Sequence, residues 1–212
     1  ALQQGQLVNH YQPIIDLKTG RPCGAEALVR WYHPQKGLIA PGMFIPLAEQ
    51  SDLILDISRY VIRQACDDFL EWKDDLQPPF HIALNLSTRD FQQRDFSQQL
   101  SAILSMAKVS PEHVALEVTE GALMDDPQQV IEAFTQWRNY GTSIFIDDFG
   151  TGYSSLSYLS RLPLDFLKID RSFVSDILTN GHNLVIATAT INMAHALNLQ
   201  VVAEGVETKE QK

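Results

Sequence analysis

Six apolar, alternating stretches of the sequence each carry a polar or ionisable residue near their end: Glu26, Asn85, Glu117, Asp147, Lys168 and Glu204. Four of these are carboxylates. A carboxylate withdrawn from water is costly unless an opposite charge or a metal offsets it, so four around one site need compensation. Lys168 brings one positive charge, too little for the set. Hard divalent cations with oxygen ligands, Mg²⁺ or Mn²⁺, are the economical remedy. Asp147 is followed directly by Asp148, and successive side chains diverge at a strand end, so the pair could serve two ions. Two ions ~4 Å apart activate a water and steady both oxygens of an in-line phosphoryl displacement. The chemistry predicted is metal-assisted phosphoester hydrolysis.

Taken singly, each residue has a plainer role. A lone Glu or Asp at a strand end is usually a cap, a turn former or a solvated charge, and Lys168 alone reads as a salt-bridge partner. Asn85-Leu86-Ser87 could be a strand end followed by a helix cap, and Gly150-Thr151-Gly152-Tyr153 a flexible turn. That turn lacks the Gly-Lys-Ser/Thr of a P-loop and gives no dinucleotide fingerprint. The functional reading rests on these residues occurring together on one strand face along the chain.

The elements that must position them alternate from end to end. Strands are expected near 6–15, 22–30, 81–87, 113–119, 143–148, 165–170 and 200–206, with helices between most of them. One helix follows Asp126 as N-cap and Pro127 in its first turn, with Val130, Ile131, Phe134 and Trp137 at helical spacing and Gly141 as its stop. Others run from Ile54 to Trp72 and from about Asn183 to Leu197. Within the strands Ile82, Leu84 and Leu86 oppose His81, Ala83, Asn85 and Ser87, and Leu167 and Ile169 oppose Phe166, Lys168 and Asp170. One face is aliphatic and suits packing against helices. The other is small or polar and suits a barrel interior, where charge survives at an open end. Strands covered by helices on both faces would be apolar throughout. The expected class is therefore α/β, a (β/α)₈-type barrel, in one unit without linkers or low-complexity segments.

Composition narrows the partners. The 212 residues carry a formal net charge of −10, which argues against a polymeric nucleic acid as partner, since that needs a positive face to displace counterions. No apolar run reaches the ~20 residues that cross a bilayer. Cys23 and Cys66 lie far apart with no metal-type spacing and read as reduced core thiols. The first residue is not Met, so a domain cut from a longer chain is expected.

The same residues carry a family resemblance. The sequence resembles the EAL-domain cyclic di-GMP phosphodiesterases through Tyr11-Gln12-Pro13-Ile14, Glu26-Ala27-Leu28-Val29-Arg30-Trp31, Asn85-Leu86-Ser87 and Glu117-Val118-Thr119-Glu120. It continues with Asp147-Asp148-Phe149-Gly150-Thr151-Gly152-Tyr153-Ser154-Ser155-Leu156, Lys168-Ile169-Asp170 and Ala203-Glu204-Gly205-Val206-Glu207-Thr208. The ten-residue segment opening on the two aspartates is highly specific; the three-letter motifs are weak singly.

The resemblance implies a modified barrel whose first strand runs antiparallel to the rest. It implies two Mg²⁺ or Mn²⁺ ions held by Glu26, Asn85, Glu117, Asp147 and Asp148, with Asp147 bridging. Lys168 corresponds to a lysine that contacts the attacking water, and Glu204 to a glutamate that is either general base or anchor of the metal–water cluster. Glu120 corresponds to an anchor of the Gly150–Ser155 loop, and Gln12 and Arg30 to contacts with the dinucleotide, Arg30 near a phosphate. The implied reaction opens cyclic di-GMP to linear pGpG. A catalytically inactive receptor that binds cyclic di-GMP and signals to a partner is the alternative, and the presence of every ligand that can be checked favours hydrolysis. Carbonyl chemistry through a Schiff base on Lys168 is a more distant one. Many relatives of this kind dimerise and sit downstream of sensory or GGDEF domains, which makes a homodimer and such a domain partners to expect. The expected location is cytoplasmic, with any tether to the inner membrane outside this chain. Where the family continues past Glu204 with a helix, an eighth strand and a Gln-Gly-Tyr segment, this sequence stops at Lys212. Residues 1–212 are therefore expected to form an EAL domain whose C-terminal strand is absent.

Overall fold

The computed structural model of the protein describes residues 1–76, 79–93, 95–124, 127–152 and 156–212. The chain forms two compact units, residues 1–116 with 140–142 and residues 117–139 with 143–212. Among the described residues no helix is long and apolar enough to cross a membrane.

In the first unit β1 (Leu7–Ile15) runs antiparallel to β2 (Pro22–His33), with Gln12 opposite Glu26 and Val8 opposite Arg30. A short β3 (Gly37–Ile39) folds back on the end of β2. Two helices follow, α1 (Ile45–Ala48) and the long α2 (Leu53–Trp72); then β4 (His81–Leu86) pairs parallel to β2, with Glu26 opposite Ala83. The expected antiparallel first strand is thus present. Helices α3 (Thr88–Gln92) and α4 (Phe96–Ala107) lead to β5 (Val114–Thr119), which ends in the second unit.

Helix α2, expected from Ile54 to Trp72, buries Ile54, Ile57, Val61, Ala65 and Phe69 along one face, and packs on β4 and α4. Each large apolar side chain removed from water contributes roughly 1.5–3 kcal/mol before cavity and strain effects. Cys66 lies in this core, and burial pushes its thiol up to about 12, so it stays protonated and inert. Cys23 is also a free thiol. Strands β2 and β4 approach so closely that a Cβ at Gly24 would lie 2.8 Å from His81 Nε2 and 2.9 Å from the His81 carbonyl oxygen. Glycine is required there by the backbone contact, and the approach fixes the register that sets Glu26, two residues on.

The second unit alternates strand and helix. After β5 come α5 (Pro127–Tyr140), β6 (Ser143–Phe149), α6 (Leu156–Leu159), β7 (Phe166–Ile169), α7 (Arg171–Val174), α8 (Gly181–Ala196) and β8 (Gln200–Ala203). β6, β7 and β8 are parallel neighbours, with Ile146 opposite Leu167 and Lys168 opposite Val202. α5 opens on Pro127 and buries Val130, Phe134 and Trp137 as the helical spacing predicts; the expected cap Asp126 lies outside the described residues. α8 starts two residues earlier than expected because the Asn180 side chain caps it, accepting from His182 N at 3.1 Å.

Burial of the His81 ring pulls its pKa down to about 4. The folded protein therefore resists protonation that the unfolded chain accepts below about pH 6.5. His81 contributes stability that is present above that pH and lost as pH falls from about 6.5 to about 4, a change of a few kcal/mol. Denaturant unfolding at pH 7.5 and pH 5 should show a flatter pH dependence for His81→Gln than for the unsubstituted protein. The same slope in both would place the titration elsewhere.

Candidate functional site

The first unit brings Glu26 and Asn85 together. They sit on the adjacent parallel strands β2 and β4, and Asn85 Nδ2 donates to Glu26 Oε1 at 2.8 Å. Gln12 lies directly across from Glu26 in the β1–β2 ladder. Directly opposed residues share a face, and side chains two apart along a strand do too, so Gln12, Glu26 and Arg30 lie on one face. Gln12 is exposed and Arg30 half-buried, its Nη1 donating to Val29 O at 3.0 Å. Ser87, just past Asn85, caps α3. Asp90 Oδ2 accepts from Ser87 N at 2.9 Å, Ser87 Oγ at 2.7 Å and Ser58 Oγ at 2.8 Å. The plainer reading of Asn85-Leu86-Ser87, a strand end followed by a helix cap, is thus what the structure shows. The Ser87-x-x-Asp90 spacing is that of a capping box, a signal present in the sequence.

The second unit gathers the acids. Lys168, on β7, has a side chain only 2% exposed. Its Nζ lies 2.9 Å from Glu117 Oε2, 3.1 Å from Asp147 Oδ1 and 2.8 Å from Glu204 Oε1. These partners come from β5, β6 and the residue just after β8, all reaching one side of the parallel strands. Glu204 falls there because Lys168 is opposite Val202 and Glu204 is two residues on.

Asp148 belongs to the same cluster for a different reason. Between Ile146 and Phe149 β6 advances three residues while its partner β7 advances two, from Leu167 to Ile169. The extra residue makes a bulge, a device that re-aims a side chain. Asp148 adopts φ 54°, in the left-handed region, and its N–H donates to Asp147 Oδ1 at 2.9 Å. Aspartate tolerates this backbone better than a branched side chain, yet the conformation persists only where surroundings enforce it. The two adjacent aspartates thereby serve one site instead of pointing to opposite faces of the strand.

Asp147, Asp148 and Glu204 each present a carboxylate oxygen, and these oxygens all lie within 4.8 Å of one another. Among the described residues, four acids, Glu117, Asp147, Asp148 and Glu204, gather around the one lysine Lys168. Glu117 and Asp147 are buried and Asp148 and Glu204 half-buried, so carboxylates crowd a site only partly open to water, and a cation would offset their repulsion. The donors are all hard oxygens, which suit Mg²⁺ or Mn²⁺ and not softer ions. The residues present fit such a metal.

Glu120 follows β5 and is buried. Its Oε2 accepts from Gly150 N at 2.9 Å and Gly152 N at 3.2 Å. A Cβ at Gly152 would sit 3.1 Å from Glu120 Cδ, so the glycine lets the loop backbone close on the carboxylate. Of the Gly150–Ser155 loop expected to depend on Glu120, Tyr153, Ser154 and Ser155 lie outside the described residues.

The EAL domain family model matches residues 1–212. The chain is 43% identical over 212 residues to the bifunctional diguanylate cyclase/cyclic di-GMP phosphodiesterase MucR of Pseudomonas aeruginosa, covering all of this chain and 31% of MucR. It is 44% identical over 211 residues to the cyclic di-GMP phosphodiesterase NbdA of the same bacterium, covering all of this chain and 27% of NbdA. The chain thus spans less than a third of the length of these relatives. Among solved structures, the PaMucR phosphodiesterase in complex with c-di-GMP matches with a TM-score of 0.95 at 43% identity, over all of this chain and 85% of that one. The FimX EAL domain from P. aeruginosa shares the fold, with a TM-score of 0.88 at 24% identity over all of this chain and 84% of that one. With the family model matched from end to end and the fold of its solved members reproduced, this chain belongs to the EAL domain family.

Proposed function

We propose that this domain hydrolyses one phosphodiester of cyclic di-GMP and releases linear pGpG. The observation that carries the reading is the buried Lys168 ammonium held between Glu117, Asp147 and Glu204, with Asp148 turned into the same cluster by the β6 bulge. The sequence likeness to MucR and NbdA supports the choice of substrate.

In this reading Glu26, Asn85, Glu117, Asp147 and Asp148 hold two Mg²⁺ or Mn²⁺ ions. When bound, these supply Lewis acidity that makes water a competent nucleophile at neutral pH and offsets charge on the phosphoryl oxygens. The protein's own groups do the rest. Lys168 orients the attacking water and stabilises the negative charge that grows on the phosphorus oxygens. Glu204 accepts the water's proton or fixes the cluster through its bond to Lys168. Water oxygen joins phosphorus, the bond from phosphorus to the 3′ oxygen breaks, and that oxygen takes up the proton the water has given up, opening the ring. Arg30 faces a phosphate, Gln12 holds the dinucleotide beside it, and Glu120 keeps the Gly150–Gly152 backbone in place behind the aspartates. In this reading the domain works as a homodimer and within a longer protein that includes a sensory or GGDEF domain; that the chain matches only 31% of MucR and 27% of NbdA supports the longer protein.

The test is incubation with cyclic di-GMP and Mg²⁺ or Mn²⁺, with and without EDTA, following pGpG by chromatography. Metal-dependent pGpG is expected. Binding of the dinucleotide that survives EDTA, with no product, would contradict hydrolysis and favour a receptor. In the same assay Lys168→Ala should lower kcat by ~10²–10³-fold, the size of loss seen when one transition-state contact is removed, with KM changed far less. Equal losses in kcat and in dinucleotide affinity would mean that Lys168 mainly holds substrate.

A further inference from the structure

Two of the acid-bearing strands of the second unit lead into glycines with left-handed backbones, Gly150 after β6 at φ 98° and Gly205 after Glu204 at φ 69°. Each glycine is packed against a side chain of the same short helix, α7. A Cβ at Gly150 would meet Phe173 Cε2 at 3.0 Å and Cζ at 3.3 Å. A Cβ at Gly205 would meet Arg171 Cγ at 2.4 Å, with Arg171 Cβ and Cδ each at 3.1 Å. Both turns are therefore closed on α7 at bare-backbone distance, and neither acid-bearing segment can shift toward α7 without displacing a side chain.

We propose that α7 is a wedge that sets the spacing of the metal-binding acids, with Phe173 a positioning residue for Asp147 and Asp148 and the stem of Arg171 a positioning residue for Glu204. The proposal rests on the reading that these acids hold a divalent metal. The segment is well placed for the task. Lys168, three residues before Arg171, touches Asp147 and Glu204 directly. Ile169 O accepts from Glu204 N at 3.1 Å, so the backbone before α7 is tied to the same turn. Asp170 caps the helix by accepting from Ser172 N at 3.0 Å. Beneath it, Val174 is buried, Asn183 Nδ2 donates to Ser172 O at 2.9 Å, and Gln211 Nε2 donates to Ser175 O at 3.0 Å. The wedge thus has a fixed base on α8 and the residues after β8.

The two contacts differ in kind. The Arg171 guanidinium pairs with Glu207 at 2.8 Å, but both side chains are about two-thirds exposed, 66% and 65%. Ion pairs so open to water contribute little. The closely packed part is the aliphatic stem, which replaces solvent over the Gly205 turn. On the other side Phe173 backs the Gly150 turn just after Asp148, whose left-handed backbone needs an enforcing neighbour. Partners that orient metal ligands without touching the ion typically change metal affinity by about 10–100-fold.

The experiment is calorimetric titration of Mn²⁺ into protein freed of metal, without dinucleotide, with circular dichroism confirming that each variant is folded. Phe173→Ala and Arg171→Ala should each weaken Mn²⁺ binding by about 10-fold or more. Arg171→Met, which keeps the stem and loses the charge, should bind Mn²⁺ like the unsubstituted protein, and Phe173→Leu should fall between. Unchanged affinity in folded Phe173→Ala and Arg171→Ala would overturn the wedge. A loss in Arg171→Met equal to that in Arg171→Ala would overturn the role of the stem and assign the effect to the Glu207 pair. If the unsubstituted protein itself bound no Mn²⁺, the metal reading would fall and the proposal with it.

Discussion

A single ammonium among carboxylates constrains the second unit. Lys168 is buried to 2% side-chain exposure, and a buried charge is tolerated only with good partners. Glu117, Asp147 and Glu204 are such partners, drawn from three separate stretches of chain, so β5, β6 and the end of β8 must converge on β7. The acids gathered around the lysine at the same time outnumber it. Stability alone would favour fewer acids or apolar replacements there. Carboxylates gathered within 4.8 Å of one another, part buried and part open to water, are what a cation-binding centre offers an incoming ion.

The backbone devices around this cluster are consistent with that constraint. A bulge in β6 allows consecutive aspartates to face one site, which a regular strand with its two-residue alternation forbids. Glycines at 150 and 205 give left-handed turns directly behind the acids, and Gly152 lets the loop close on Glu120. In the first unit Gly24 draws β2 against β4 and so places Glu26 beside Asn85. Regular strands supply direction, and these few irregular residues supply aim.

Much of this was legible in the sequence. The alternation of Ile82, Leu84 and Leu86 with smaller or polar residues located β4, and the helical spacing of Val130, Phe134 and Trp137 located α5, because both patterns follow directly from backbone periodicity. The shared face of Glu117, Asp147, Lys168 and Glu204 was legible for the same reason. What periodicity does not carry is local backbone choice. The left-handed Asp148 breaks the alternation, and a single sequence does not say which residue of Asp147-Asp148 is the extra one. The packing of Phe173 on Gly150 and of Arg171 on Gly205 joins residues more than twenty positions apart, and no local pattern announces it. The short β3 was also missed: three residues with one hairpin contact leave no alternation to count. The Asn180 cap that starts α8 early is a local signal that was present and overlooked.

The central claim is that the acids around Lys168 form a divalent metal centre. Anomalous diffraction from crystals grown with Mn²⁺ tests it most directly. A manganese peak within about 2.0–2.3 Å of carboxylate oxygens of Asp147 and Asp148, with Lys168 still bonded to Glu204, is the predicted result. Fully ordered carboxylates with no anomalous peak among them at millimolar Mn²⁺, or a peak only at acids elsewhere on the surface, would contradict it.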